Sequence, residues 1–208
     1  MKRLLSIALL FSILAISGVA SATTINLQEV GVNNSVVVNA HFGGAINGTY
    51  NVYAGYYQLK INGGAAVNGF CVDPAWAPSS SQTYNLRALD PINNANDLKY
   101  AKAAYLFSLS NAGNAAAIQL AIWQTVMGGD FTLNDHNDLL ASIPAIPDNF
   151  LTLFDLSQYS LAENGGYGGG WQDYIVRNPN APVPEPATML LLGSGLAGIA
   201  AFRRKSRK

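Results

Sequence analysis

"GTYNVYAGYYQLKINGGAAVNGFCV", residues 48–72, is the stretch that decides the fold. Tyr50, Val52, Ala54 and Tyr56 alternate with Thr49, Asn51, Tyr53 and Gly55, the period of two expected of a half-buried strand, with a glycine where a bulge fits. Asn62-Gly63-Gly64 supplies residues that accept positive φ, and Ala65 to Val72 returns as the second arm of a hairpin. Asp73-Pro74 stops that arm, because proline restricts the residue before it. The single cysteine of the chain, Cys71, therefore stands near a strand end.

Upstream, Thr24 to Val30 and Ser35 to Phe42 read as two short strands separated by Gly31-Val32-Asn33-Asn34, a turn composition. Downstream the period changes after Asp90. A helix is expected over Leu98 to Ser108, capped by Asn96 or Asp97, and a second over Ala115 to Met127, capped by Asn114 and closed by Gly128-Gly129. Ile118, Ala121, Ile122 and Val126 make one stripe of the second helix, with Leu120 and Trp123 beside it; a helix apolar over most of its circumference is a buried one. Residues 130–170 read as irregular, with helical turns at Asn134 to Ala141 and Asn149 to Leu156. Gly165-Gly166-Tyr167-Gly168-Gly169-Gly170 is a flexible loop before a closing strand over residues 170–178. The expected architecture is mainly β, a sandwich or barrel, with an inserted helical pair.

Both ends of the chain read as addresses. Lys2 and Arg3 precede an apolar run from Leu4 to Ile16 and a small-residue stretch ending at Ala22, the pattern of a secretory signal peptide cleaved after Ala22. At the other end Pro182, Pro184 and Pro186 precede an apolar segment over residues 187–202, followed by Arg203, Arg204, Lys205, Arg207 and Lys208. As a transmembrane helix this segment reaches about 24 Å against a hydrocarbon core of about 30 Å, and snorkelling of the basic tail makes up the difference. The basic cluster belongs on the cytoplasmic side, so the domain faces outward. The expected organisation is a signal peptide over 1–22, an extracellular domain over 23–180 and a sorting and membrane segment over 181–208.

Val183-Pro184-Glu185-Pro186-Ala187-Thr188, the Gly-rich apolar segment and the basic cluster resemble the PEP-CTERM sorting signal of exopolysaccharide-producing Gram-negative bacteria. The resemblance implies recognition by an exosortase in the inner membrane, where the C-terminus anchors the chain at least transiently. Processing near Pro184-Glu185-Pro186 would then release the protein to the cell surface or the extracellular matrix, among exopolysaccharide.

Composition narrows the function classes. Between residues 23 and 183 the five bases are Lys60, Arg87, Lys99, Lys102 and Arg177. The acids Glu29, Asp73, Asp90, Asp97, Asp130, Asp135, Asp138, Asp148, Asp155, Glu163 and Asp173 number eleven, a formal balance of −6. An acidic surface this poor in bases argues against nucleic acid. The chain carries neither a phosphate-binding loop nor a dinucleotide fingerprint, and Asp135, Asn137 and Asp138 lack the glycine and closing glutamate of a calcium loop. Neither a metal nor a cofactor is expected, and the chain does not read as an enzyme.

A lone cysteine excludes an internal disulfide and leaves four roles open. It can be a small buried hydrophobe, a nucleophile served by His41 or His136, a metal ligand, or a thiol acylated by a glutamine. Phe70-Cys71-Val72-Asp73, Ile118-Gln119-Leu120-Ala121-Ile122-Trp123 and Trp171-Gln172-Asp173-Tyr174-Ile175-Val176 are similar to motifs of the thioester domains of bacterial surface proteins, a resemblance covering about residues 48–176. It implies that the Cys71 thiol displaces ammonia from a glutamine carboxamide, and that an amine of a surface target later opens the thioester as a covalent amide. Gln172 is the first choice of acyl donor. Gln119 is second, because a glutamine within a buried helix more often serves as a hydrogen-bonded support. Asp73 and Trp123 are supporting residues, and Tyr53, Tyr56, Trp76 and Trp123 are candidate shields against water. The alternative is a structural or carbohydrate-associating matrix domain in which Cys71 is only packed.

Overall fold

The computed structural model describes residues 23–73, 75, 77–78, 80–165 and 170–179. The expected signal peptide, the cleavage after Ala22, the Pro184-Glu185-Pro186 motif, the membrane helix over 187–202, the basic tail and Trp76 lie outside the described residues. Among the described residues no helix is long and apolar enough to cross a membrane.

Strands β1 (Thr23–Phe42), β2 (Gly48–Ile61), β3 (Ala66–Cys71) and β4 (Gln82–Ala88) come first in the chain, followed by helices α1 (Asp97–Ser108) and α2 (Ala115–Met127). Then come β5 (Phe131–Leu133), the short helix α3 (Asn137–Ala141), β6 (Tyr159–Glu163) and β7 (Tyr174–Arg177). The seven strands form one sheet in the order β2-β3-β7-β6-β4-β1-β5, every neighbouring pair antiparallel. β1 also pairs with β2, so six strands close into a ring, with β5 added beside the far end of β1. Of the two architectures expected, this is the barrel, and closure hides the edges of its strands.

The hairpin forms as its residues dictate. Asn62 and Gly63 take φ of 50° and 72°, the two positive values of a type I′ turn, and Gly64 N–H donates to the Ile61 carbonyl at 2.9 Å. The reading of two strands before it needs correction, because Thr23–Phe42 is a single strand. Gly31-Val32-Asn33-Asn34 is not a turn but part of a bulged stretch, with register shifts between Glu29 and Gly31 and between Asn33 and Val36. Gly31 at φ 150° and Asn34 at φ 49° absorb the extra residues while pairing with β2 continues on both sides. Turn-forming residues thus bend one strand enough to close a barrel.

Residues 130–170 are more regular than their composition suggests, since β5 and β6 are both ladder strands. The expected turn at 134–141 shortens to α3, and that at 149–156 becomes two 3-10 turns, Phe150–Thr152 and Leu156–Gln158. The closing strand begins at Tyr174, so Gln172 sits two residues ahead of it.

Strand alternation separates two cores. Ile25, Leu27, Leu59, Cys71, Tyr84, Tyr174 and Val176 face one cluster, which the Ala116, Leu120 and Trp123 face of α2 joins. Phe70, Val72, Leu161 and Ile175 face the other, against α1 and the Ile118, Ala121 and Ile122 face of α2. Residues 115–123 of α2 are all buried because that helix lies between the two cores. Arg87 on β4 ties the helical pair to the sheet, donating to Asp97 of α1 at 2.6 Å and to Glu163 of β6 at 3.1 Å.

Candidate functional site

Cys71 is the last residue of β3, paired with Tyr174 of β7. Val72 N–H donates to the Asp173 carbonyl at 3.0 Å, so the 72/173 pair carries the ladder bond. The 71/174 pair is then the non-bonded kind, whose backbone groups point away from β7. Pairing of β3 with β2 ends at Gly69, and among the described residues no strand takes the Cys71 N–H and C=O.

Gln119 takes both. Its Oε1 accepts from Cys71 N–H at 3.1 Å and its Nε2 donates to Cys71 O at 2.8 Å, so one side-chain amide replaces a missing strand. Residue 119 is fully buried on α2, and the two bonds fix the helix to the strand end. One turn along, Trp123 directs its indole N–H at Cys71 Sγ, 3.4 Å away. Phe42 packs edge-on against that indole, with ring centroids 5.4 Å apart and planes at 89°.

Gln172 reaches Cys71 from the other side. The register that sets Cys71 opposite Tyr174 sets Asp73 opposite Gln172, and a diagonal neighbour on the same face lies within side-chain reach. Gln172 Nε2 lies 2.6 Å from Cys71 Sγ and 3.3 Å from the Asp73 carbonyl oxygen. The carboxamide carbon is one C–N bond of about 1.33 Å from that nitrogen, which puts it within about 4 Å of the sulfur. Tyr174 Oη lies 3.0 Å from Gln172 Oε1, Tyr84 donates to the Gln172 backbone carbonyl at 3.0 Å, and the side chain of Tyr57 also contacts that of Gln172. Cys71 is fully buried and Gln172 is 6% exposed.

The Cys71 thiol is pushed well above its ordinary value, first by burial and then by the charge of Asp73; the indole N–H pulls it the other way. Its S–H donates to the Asp73 carbonyl at 2.7 Å, so at rest the sulfur is a neutral thiol. Asp73 and Asp173 are buried side by side, Asp173 N–H donating to Asp73 Oδ1 at 2.8 Å, while among the described residues Asp73 Oδ2 has no hydrogen-bond partner. Burial raises Asp73 to about 6 and Asp173 to about 7, the latter also through repulsion from Asp73. A half-charged pair of this kind costs less than two full charges away from water.

The residues expected at the site are therefore divided. Cys71, Gln172, Gln119, Asp73 and Trp123 meet at one point. Tyr53 and Tyr56 are not shields: Tyr53 is 57% exposed, and Tyr56 belongs to the other core, its hydroxyl on Ser110 and its ring 5.0 Å from Phe70. Their places are taken by Tyr57, Tyr84 and Tyr174, with Glu29 behind Tyr174; Tyr174 shares the motif of Gln172, and the other three stand in none. Alternation carried through the hairpin would have flagged Tyr57, which lies on the Leu59 side of its strand; the others come from strands far apart in sequence. His41 Nδ1 sits 3.3 Å from Thr49 Oγ1, and His136 precedes α3 at φ 51°, so neither is a base for the thiol. Among the described residues no cluster of three or more His, Cys, Asp or Glu is arranged to hold a metal. Asp135 instead accepts from the Asn39 N–H at 2.9 Å.

No curated protein and no solved structure matches the chain. A family model described as the PEP-CTERM protein-sorting motif matches residues 182–205, a stretch that takes in Pro184, Glu185, Pro186 and the bases Arg203, Arg204 and Lys205. That motif implies export, a membrane-associated sorting step and recognition by an exosortase-type enzyme.

Proposed function

We propose that this exported protein attaches covalently to an amine-bearing surface target through an internal thioester between Cys71 and Gln172, and that it works without turnover as an adhesive component of the cell surface or extracellular matrix. The observation that carries the reading is the 2.6 Å approach of Gln172 Nε2 to Cys71 Sγ inside a site with no water-exposed sulfur. In the forming step the sulfur adds to the carboxamide carbon and the thiol proton passes to the amide nitrogen. The C–N bond then breaks, a C–S bond remains, and ammonia leaves. A target amine reverses the sense: its nitrogen bonds to the same carbon, the C–S bond breaks, and its proton returns to sulfur.

The scaffold supplies proximity rather than a base. Gln119 fixes the backbone of Cys71 and Tyr84 that of Gln172, so the acyl transfer is effectively unimolecular, a gain worth up to about 7–11 kcal/mol in well-oriented systems. The test is the intact mass of the purified full chain beside its Cys71→Ala variant. A deficit of about 17 Da against the sequence mass in the wild type, absent in the variant, is the expected result.

One observation favours the rival reading of a structural or carbohydrate-associating matrix domain with an inert cysteine. The resting thiol is held neutral, with its proton on the Asp73 carbonyl. A wild-type mass equal to the sequence, with a thiol that titrates after unfolding, would support that reading and overturn the first.

A further inference from the structure

Tyr174 places one hydroxyl between two oxygens, 3.0 Å from Gln172 Oε1 and 2.7 Å from Glu29 Oε2. A phenol carries a single proton and can donate to only one of them. The carboxamide oxygen has no proton to return. Both contacts are hydrogen bonds at once only when Glu29 is protonated, donating to Tyr174 while Tyr174 donates to Gln172. An ionised Glu29 takes the phenolic proton for itself and leaves Gln172 Oε1 facing a lone pair.

Resting on the thioester reading, we propose that Tyr174 is the oxyanion donor of the acyl transfer and that Glu29 switches it by its protonation. When Cys71 Sγ adds to the Gln172 carboxamide carbon, the electron pair of the C=O bond moves onto Oε1. It returns when the C–N bond breaks, and the thiol proton leaves with the ammonia. When an amine opens the thioester the same oxygen carries the same charge, because each direction passes through a tetrahedral adduct at that carbon, differing only in the nitrogen it bears. Tyr174 is the donor aimed at that oxygen. Of the neighbouring donors, Tyr57 gives its proton to the Tyr53 carbonyl at 3.1 Å, Tyr84 to the Gln172 backbone and Trp123 to the sulfur. A preorganised donor in a dry site is worth far more than one in water, because nothing reorganises when charge develops.

The fold places Glu29 where it can titrate. It follows Leu27 on the inward face of β1, opposite Leu59, next to the first register shift, and is half-buried. The titratable groups facing it are Tyr57 of β2, Cys71 of β3, Tyr84 of β4 and Tyr174 of β7, and burial raises each of them. All four are neutral near neutrality, and among the described residues Glu29 makes no ion pair. Burial accordingly raises the Glu29 carboxyl, opposed by the bond from Tyr174.

The experiment is methylamine uptake by the purified full chain, followed by intact mass from about pH 4, below the ordinary carboxyl value, to about pH 9, for the wild type, Tyr174→Phe and Glu29→Gln. Ratios between variants cancel the titration of methylamine, and Cys71, acylated in the thioester, has no thiol proton to titrate. Gln at position 29 can donate to Tyr174 at every pH, so the rate of Glu29→Gln relative to wild type should climb about a hundredfold as the wild-type carboxyl ionises. Tyr174→Phe should be slower than wild type by a similar factor on the acid side, and that gap should close on the alkaline side. A folded Tyr174→Phe chain that never acquires the mass deficit counts as the limit of slowing and supports the proposal. A Glu29→Gln ratio that does not change with pH, or a Tyr174→Phe chain that takes up methylamine at the wild-type rate throughout, overturns it while leaving the thioester intact. A wild-type chain with no mass deficit overturns the thioester reading itself.

Discussion

Gln119 holds the backbone of Cys71 as a neighbouring strand would, and this sets what its loss should do. Gln119→Leu keeps the volume but leaves a buried N–H and a buried C=O without partners, each costing about 1–3 kcal/mol. Urea unfolding should show a loss of about 2–4 kcal/mol; a change below about 0.5 kcal/mol would mean that the two bonds are not holding the strand end. Asp73 and Asp173 act on stability through pH. Their folded-state values, about 6 and about 7, lie above the ordinary 3.8, so between those limits the native state binds more protons than the unfolded chain. Stability then falls as pH rises from about 4 through about 7 and levels off above that. The thermal midpoint should drop between about pH 5 and about pH 8, by an amount equivalent to roughly 4 kcal/mol at most, and Asp173→Asn should flatten the curve. A midpoint that rises over this window would contradict the buried pair.

At the scale of elements, the bend in β1 makes the barrel, and Gly55 of β2 is its counterpart. A Cβ there would stand 2.7 Å from the Ser35 Cβ and 2.8 Å from the Asn33 carbonyl oxygen, inside the bulge. Gly55→Ala should therefore destabilise by about 1–3 kcal/mol in chemical unfolding, because backbone atoms have to move. A neutral effect would show that the two strands are not pressed together at that point. The hairpin at Asn62-Gly63 and the buried helix α2 were legible in the sequence because each is written in a short local signal: two residues with positive φ, and an apolar surface closed by Gly128 at φ 58°. Gly31 and Asn34 misled, since the same residue types make a turn or a bulge and only the partner strand decides which. β5 and β6 were not legible at all: three and five residues leave too short a run for alternation to show.

At the scale of the molecule, the two ends of the chain and its interior are legible for different reasons. A sorting signal is read by other proteins as sequence, so Pro184-Glu185-Pro186 and the bases after the apolar segment stand in the chain unaltered. The site is assembled instead from β1, β2, β3, β4, α2 and β7: ring closure brings Glu29, Tyr57, Cys71, Tyr84 and Tyr174 together, and α2 adds Gln119 through its bonds to the Cys71 backbone. Cys71, Gln119 and Gln172 could be singled out because each stands in a short stretch similar to a known motif, which set these two glutamines apart from the others of the chain. The tyrosines that surround them could not, because ten tyrosines in the chain look alike until the barrel closes. The measurement that reaches this account most directly is the position of the methylamine adduct, found by peptide mapping of the full chain after treatment. An N-methyl amide, a gain of about 14 Da, should fall on Gln172 with a free thiol released at Cys71 and Gln119 unmodified. Unmodified Gln172 together with a thiol already free before treatment would contradict it, leaving Cys71 as a packed residue in an exported barrel.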